Sequence, residues 1–306
     1  MDAIRPGQVR GGLGNFVRAA TVIPINDLKG AQSGRFSEDE QLMRCKLAAC
    51  YRLVDLIGWT HGIFNHISLF ASENRASSGV DHFLINPFGL LYNEITASSL
   101  LKVDLKGNIV DQGSTEFGVN KAGFTIHSAI HEARRDVNCV IHLHSPAVVA
   151  VSAMKCGLLA LSQEFLNCGA VSYHDYHGIV IDKKEKKLLV KNLGPNNKIL
   201  ILRNHGIAVC GSTLEEAFYL TSNLIVACET QVTTVALGLD NIVLPTLDTR
   251  KQDNHEERRG ADSTNKSRTT GVVEFEAMMR ALDNLGYRTG YNYKLLPMAK
   301  SGQIEK

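Results

Sequence analysis

Three histidines have the residue type and spacing for metal chemistry. In Val140-Ile141-His142-Leu143-His144-Ser145-Pro146, an extended backbone alternates its side chains, so His142 and His144 share one face and Ile141 and Leu143 the other. Two imidazoles about 7 Å apart on one strand face are able to close on a single divalent ion. A second apolar strand, 198–203, runs into Asn204-His205-Gly206, and His205 is the third candidate ligand. The set His142, His144 and His205 reads either as a metal centre or as three core histidines, each hydrogen-bonded to backbone.

These histidines need elements to hold them. Ser37-Glu38-Asp39-Glu40 has the form of a capping box, and Leu42, Cys45, Ala49, Leu53 and Leu56 follow at helical spacing to Gly58. Strand-like segments at 63–71 and 83–86 lead to a turn at Pro87-Phe88-Gly89 and a short helix expected over 96–100. A hairpin is expected from 101–105 and 109–111 around Lys106-Gly107-Asn108. A helix over 121–134 delivers the chain to the His142 strand. Another helix is expected over 147–155, with strands at 170–173 and 179–182. Lys183-Lys184-Glu185-Lys186-Lys187 reads as a solvated hairpin tip, with a basic docking site as the alternative. Ser212-Thr213-Leu214-Glu215 opens the last long helix, to about residue 237. Alternating strands and helices over 37–240 predict one α/β domain.

Around that domain, residues 1–35 are glycine-rich and aperiodic and read as disordered. Residues 36–245 form the head, 246–270 a charged linker and 271–306 a neck or tail. In the last of these, Phe275, Met278, Met279, Leu282 and Leu285 recur at helical spacing before Gly286. Tyr287, Arg288 and Tyr291 beyond it read either as interface anchors or as a tail packed back on the head.

With 306 residues, 44% apolar and 21% charged, the chain has ample material for a packed core. A net charge of +2 does not mark a nucleic-acid binder, whose domain pI usually exceeds about 9. Seven scattered cysteines without a Cys-x-x-Cys pair read as free thiols in a reducing compartment. The apolar run 147–161 is interrupted by Lys155 and too short to span a bilayer. The N-terminus lacks the apolar core of a secretion signal. A soluble intracellular protein with no transmembrane segment is expected.

Longer stretches resemble a known family. The runs 84–92 and 95–100, Val151-Ser152-Ala153-Met154-Lys155-Cys156-Gly157-Leu158-Leu159, Tyr173-His174-Asp175-Tyr176-His177-Gly178, Asn192-Leu193-Gly194-Pro195 and 282–291 are similar to the adducins. Adducins share a superfamily with the class II aldolases, zinc enzymes that cleave sugar phosphates. The resemblance implies a three-layer α/β/α class II aldolase-like head with a mixed central sheet. It also implies oligomers with other adducin subunits, homo- or heteromeric, that bind F-actin and spectrin in the cytoskeleton, at the cytoplasmic face of the plasma membrane.

The same resemblance bears on catalysis. His142, His144 and His205 match the three zinc histidines, so zinc is a possible ligand but not a required cofactor. The position of the acid/base glutamate falls at Gly123, and its loss typically costs about 10²–10⁴ in rate. Glu132 lies more than two helical turns away. The serines of the phosphate cradle fall at Lys121 and Ala122, and Phe88 stands where a hydroxyl is expected, while Asn65 and Ser68 match. The resemblance thus implies a pseudoenzyme, a membrane-cytoskeleton protein that promotes spectrin–actin network assembly. Only Lys294, Lys300 and Lys306 stand near the end in place of a lysine-rich tail, so a head-and-neck role in oligomerisation and scaffold assembly is expected, and actin capping and calmodulin binding stay open. The alternatives are a zinc-dependent class II aldolase-type lyase on an unidentified substrate, and a small-molecule sensor in the old pocket.

Overall fold

Eight strands pair into one mixed sheet in the order β4-β3-β2-β1-β5-β8-β7-β6. In this computed structural model the described residues are 22–30, 34–73, 75, 79–175, 183–244 and 269–294. The strands are β1 (His66–Phe70), β2 (His82–Ile85), β3 (Leu101–Asp104), β4 (Ile109–Asp111), β5 (Cys139–Leu143), β6 (Val171–His174), β7 (Ile199–Leu202) and β8 (Gly206–Gly211). Every neighbouring pair is antiparallel except β6 and β7. The helices are α1 (Glu38–Ile57), α2 (Lys121–Ala133), α3 (Pro146–Ala153), α4 (Gln163–Cys168), α5 (Lys183–Leu193), α6 (Leu214–Thr234) and α7 (Val272–Asn284).

Period-2 alternation sorts the strand residues between two layers. Ile67, Leu69, Ile141, Leu143, Ile207 and Val209 pack against α1, α3, α6 and α7 in the main core. On the other face Val140, Leu200, Leu202 and Ala208 meet Ile126 and Ile130 of α2 and Leu189 and Leu193 of α5. A third cluster joins Phe124 of α2 to Phe70, Phe83, Ile85, Leu101 and Val103. The head is therefore a three-layer α/β/α body.

Helix α1 begins as its sequence predicts. Ser37 Oγ accepts a hydrogen bond from Glu40 N at 3.2 Å, and Gly58 ends the helix at φ 88°, a conformation glycine adopts without steric cost. The reciprocal arm of the box is absent, because the Glu40 carboxylate accepts from Arg44 Nε at 2.9 Å and from Lys102 Nζ at 2.8 Å.

Two local expectations are corrected. Residues 96–100 form a turn, not a helix. Arg44 Nη1 donates to the Ala97 and Leu100 carbonyls, Asp27 accepts from Ser98 N and Oγ, and Ser99 Oγ donates to Thr96 O. Side chains take up the backbone groups that a helix would have paired. The lysine run is not a hairpin tip but the start of α5, which turns Leu189 and Leu193 onto α2 and leaves Lys184 and Lys187 outside. The strand expected at 179–182 lies outside the described residues, as do 1–21, most of the expected linker and residues 295–306.

Residues 22–30 and 269–294 pack against the head. Residues 22–30, placed in the expected disordered stretch, run beside 287–288: Ile25 N donates to Tyr287 O at 2.7 Å and Asn26 N to Arg288 O at 3.0 Å. Ile25 is fully buried, and its apolar side chain supplies the reason. From the expected neck, Phe275, Met279, Leu282 and Tyr291 join the main core. Phe275 lies 5.6 Å from Phe218 and 5.8 Å from Tyr291. Tyr287 and Tyr291 are thus packed against the head and Arg288 is exposed. All seven cysteines are free, and only Cys156 among them is exposed. Among the described residues no helix is long and apolar enough to cross a membrane.

Candidate functional site

His142 lies on β5 and faces the α2 layer with Val140, while His144 follows just past the strand end. His205 sits in the turn between β7 and β8, after Asn204, whose φ of 55° is one asparagine tolerates. Gly206 lets that turn close on β5: a Cβ there would press on the Leu143 carbonyl and lie 2.7 Å from His144 Cδ2. The structure brings all three histidines together. Their ligand atoms lie within 4.8 Å of one another, and His142 Nε2 and His144 Nε2 are 2.7 Å apart. The His144 and His205 rings are separated by 4.3 Å between centroids.

The chemistry of this donor set fits a divalent ion. Zinc–imidazole bonds of about 2.0–2.1 Å in a tetrahedron place ligand nitrogens roughly 3.3 Å apart, between the 2.7 Å of the His142–His144 pair and the 4.8 Å limit of the set. Ligation needs neutral imidazoles, and the surroundings favour that form. Burial, then the neighbouring His66, His144 and His205, hold His142 well below the ordinary imidazole range. Burial and then His205 and His61 bring His144 down to about 4, and burial alone lowers His205. His142 Nδ1 lies against the Ile207 backbone without forming a full hydrogen bond. When bound, a zinc ion supplies Lewis acidity at such a centre.

Beside the three lies a second set of imidazoles that the sequence did not single out. His66 on β1 pairs in register with His142, and the two rings stack at 4.7 Å and 16°. His66 Nδ1 is 2.6 Å from His127 Nε2. His127 Nδ1 is 2.6 Å from Ser68 Oγ, which is 2.8 Å from His131 Nε2. His131 Nδ1 ends the run on the Val137 carbonyl at 3.1 Å. His66 is 4% exposed, Ser68, His127 and His131 not at all. A signal was present in the sequence. His66 and Ser68 alternate on one strand face, and His127 and His131 stand four apart on one face of α2.

This run explains residue 123. A Cβ on Gly123 would lie 2.6 Å from His66 Cδ2 and 2.9 Å from Cε1, and closer still to Nε2. The His66 ring fills the space a side chain at 123 would take. Glu132 is exposed at the far end of α2. Lys121 and Phe88 are exposed, while Asn65 is buried, its Nδ2 donating to Trp59 O at 3.3 Å and its Oδ1 without a partner among the described residues. A separate cavity of about 160 Å³ lies on the α1/α6 side of the sheet. It is lined in part by Lys46 and Glu215, which form an ion pair of 2.9 Å. No histidine lines it.

Comparison with known proteins shows what this arrangement is similar to. Residues 45–232 match the family model described as Class II Aldolase and Adducin N-terminal domain. Alpha-adducin of Rattus norvegicus is 53% identical over 299 residues, 95% of this chain and 40% of alpha-adducin. Gamma-adducin of the same organism is 47% identical over 280 residues, 89% of this chain and 39% of gamma-adducin. The chain thus spans about two-fifths of the length of these relatives. Among solved structures, an aldolase II superfamily protein from Pseudomonas syringae superposes with a TM-score of 0.75 at 39% identity, covering 85% of this chain and 99% of that one.

Proposed function

Because the chain belongs to the class II aldolase and adducin N-terminal domain family, and within it to the adducins, we propose that it is a membrane-cytoskeleton protein that promotes spectrin–actin network assembly on a non-catalytic aldolase fold. The observation that carries this reading is the extent of the likeness. Identity to alpha-adducin runs over 95% of the chain, including segments remote from the histidines. The partners on this reading are F-actin, spectrin and other adducin subunits, and the location is the cytoplasmic face of the plasma membrane.

Gly123 supports the non-catalytic half of the proposal. Glycine offers no carboxylate at the position that the family likeness assigns to the acid/base, and His66 leaves no room for one. Zinc is accordingly a possible ligand of His142, His144 and His205 rather than a requirement. Co-sedimentation tests the assembly role. The chain at micromolar concentration is expected to enrich in pellets of F-actin with spectrin over a control protein, and no enrichment of either overturns it.

A second reading, a zinc-dependent lyase, is favoured by one observation, the gathered imidazoles of His142, His144 and His205. Turnover by the zinc-loaded chain separates the two.

A further inference from the structure

We propose that His66 is a preset hydrogen-bond acceptor of the three-histidine centre, its bare Nε2 occupying the place of a side chain at residue 123 and receiving a hydroxyl or water held in that pocket. The inference goes beyond the cytoskeletal reading and holds with or without turnover.

Its basis is the direction of the buried hydrogen-bond run. A carbonyl oxygen only accepts, so the contact between His131 Nδ1 and Val137 O puts the proton of His131 on Nδ1. A neutral imidazole then has a lone pair on the other nitrogen, and His131 Nε2 accepts from Ser68 Oγ. A hydroxyl has one proton to give, so Ser68 Oγ accepts from His127 Nδ1. His127 Nε2 is left as an acceptor and receives the proton of His66 Nδ1. Each step is forced by the one before. The last atom, His66 Nε2, has no proton, and among the described residues it makes no hydrogen bond.

The reverse order would need an added proton at the His131 end. Burial and the nearby Arg75 guanidinium oppose that, bringing His131 down to about 3 although the Val137 carbonyl favours its protonated form. Phe83 stacks on His131 at 4.0 Å and Phe124 lies parallel to His127 at 6.2 Å, so the rings have little freedom to flip. Packing and register thus aim a fixed lone pair from β1 along the ring edge that borders Gly123, beside His142.

A preset acceptor next to a metal centre selects ligands that carry a hydroxyl donor, and it acts on metal affinity as an outer-shell partner. Loss of such a partner typically weakens binding about 10–100-fold.

Two measurements test the assignment. Long-range ¹H–¹⁵N correlation spectra of the histidine-labelled native chain are expected to show His66 as the Nδ1–H tautomer with an unprotonated Nε2. An Nε2–H tautomer overturns the proposal. Zinc alone is then titrated by competition with a chromophoric chelator. His66→Asn keeps a donor near the Nδ1 position for His127 and removes the Nε2 acceptor, and is expected to weaken zinc binding about 10–100-fold. His66→Gln returns an amide oxygen to that position and is expected to recover most of the loss. Equal affinity in all three chains, or no zinc uptake by the native chain, overturns the acceptor role.

Discussion

Replacing Gly123 by alanine adds one methyl group at a crowded point. Its Cβ would stand 2.6 Å from His66 Cδ2 and 2.9 Å from Cε1, well inside van der Waals contact. His66 has nowhere to retreat. Its Nδ1 is tied to His127 at 2.6 Å, its face rests on His142 at 4.7 Å, and its backbone is paired with His142 of β5. Overpacking of this kind costs about 1–3 kcal/mol, and breaking the His66–His127 bond leaves a buried nitrogen unpaired at about 1–3 kcal/mol. Alanine is favoured over glycine in a helix by about 1 kcal/mol, which offsets part of the penalty. The net is a destabilisation of about 3 kcal/mol, or a fall in Tm of about 6–12 °C for a domain of this size. Thermal unfolding followed by circular dichroism reads it directly. In a His66→Ala background the clash is gone, and Gly123→Ala is expected to stabilise by up to about 1 kcal/mol. A Gly123→Ala chain as stable as the native one in the unmodified background refutes this account of the glycine.

Other perturbations reach different parts of the structure. Six imidazoles with lowered pKa, His66, His127, His131, His142, His144 and His205, bind fewer protons folded than unfolded. Stability is therefore full above about pH 6.5 and falls as pH drops toward the values of about 4 for His144 and about 3 for His131. Urea unfolding is expected to show a midpoint that decreases steadily across that window, and a flat profile would contradict it. Free zinc at 100 times its Kd is expected to add about 2.7 kcal/mol of stability, reversed by chelator and absent in His142→Ala. A melting curve insensitive to zinc would count against three-histidine ligation. Phe275→Ala, which empties a fully buried site beside Phe218 and Tyr291, is expected to cost about 3–5 kcal/mol of head stability. A loss below about 1 kcal/mol would mean that α7 is not part of the core.

What could be read from the residues follows the range of the interactions concerned. Period-2 alternation in Val140–Leu143 and the caps at Ser37 and Thr213 act over a few positions, and the elements stand where those signals place them. The gathering of His142 with His144 is local too, and His205 arrives with the pairing of β7, β8 and β5. His66 escaped notice because its meeting with His142 depends on the β1–β5 register, a pairing across more than 70 residues that no local pattern encodes. The same holds for α7, whose apolar stripe shows in the sequence but whose partner, the core around Phe218 and Ile25, does not. At the start of α5 the sequence misled for another reason. Lys184 and Lys187 are exposed, yet they belong to an amphipathic helix whose inner face holds Leu189 and Leu193, and Lys186 Nζ donates to Ser128 Oγ of α2 at 3.2 Å.

The central claim of the proposal is that this fold serves as a body for assembly and not as a catalyst. The most direct test is aldol cleavage of phosphorylated sugars by the purified, zinc-loaded chain, measured as aldehyde release. The account predicts no release above the background of zinc with a control protein. Release that disappears in His142→Ala would contradict it.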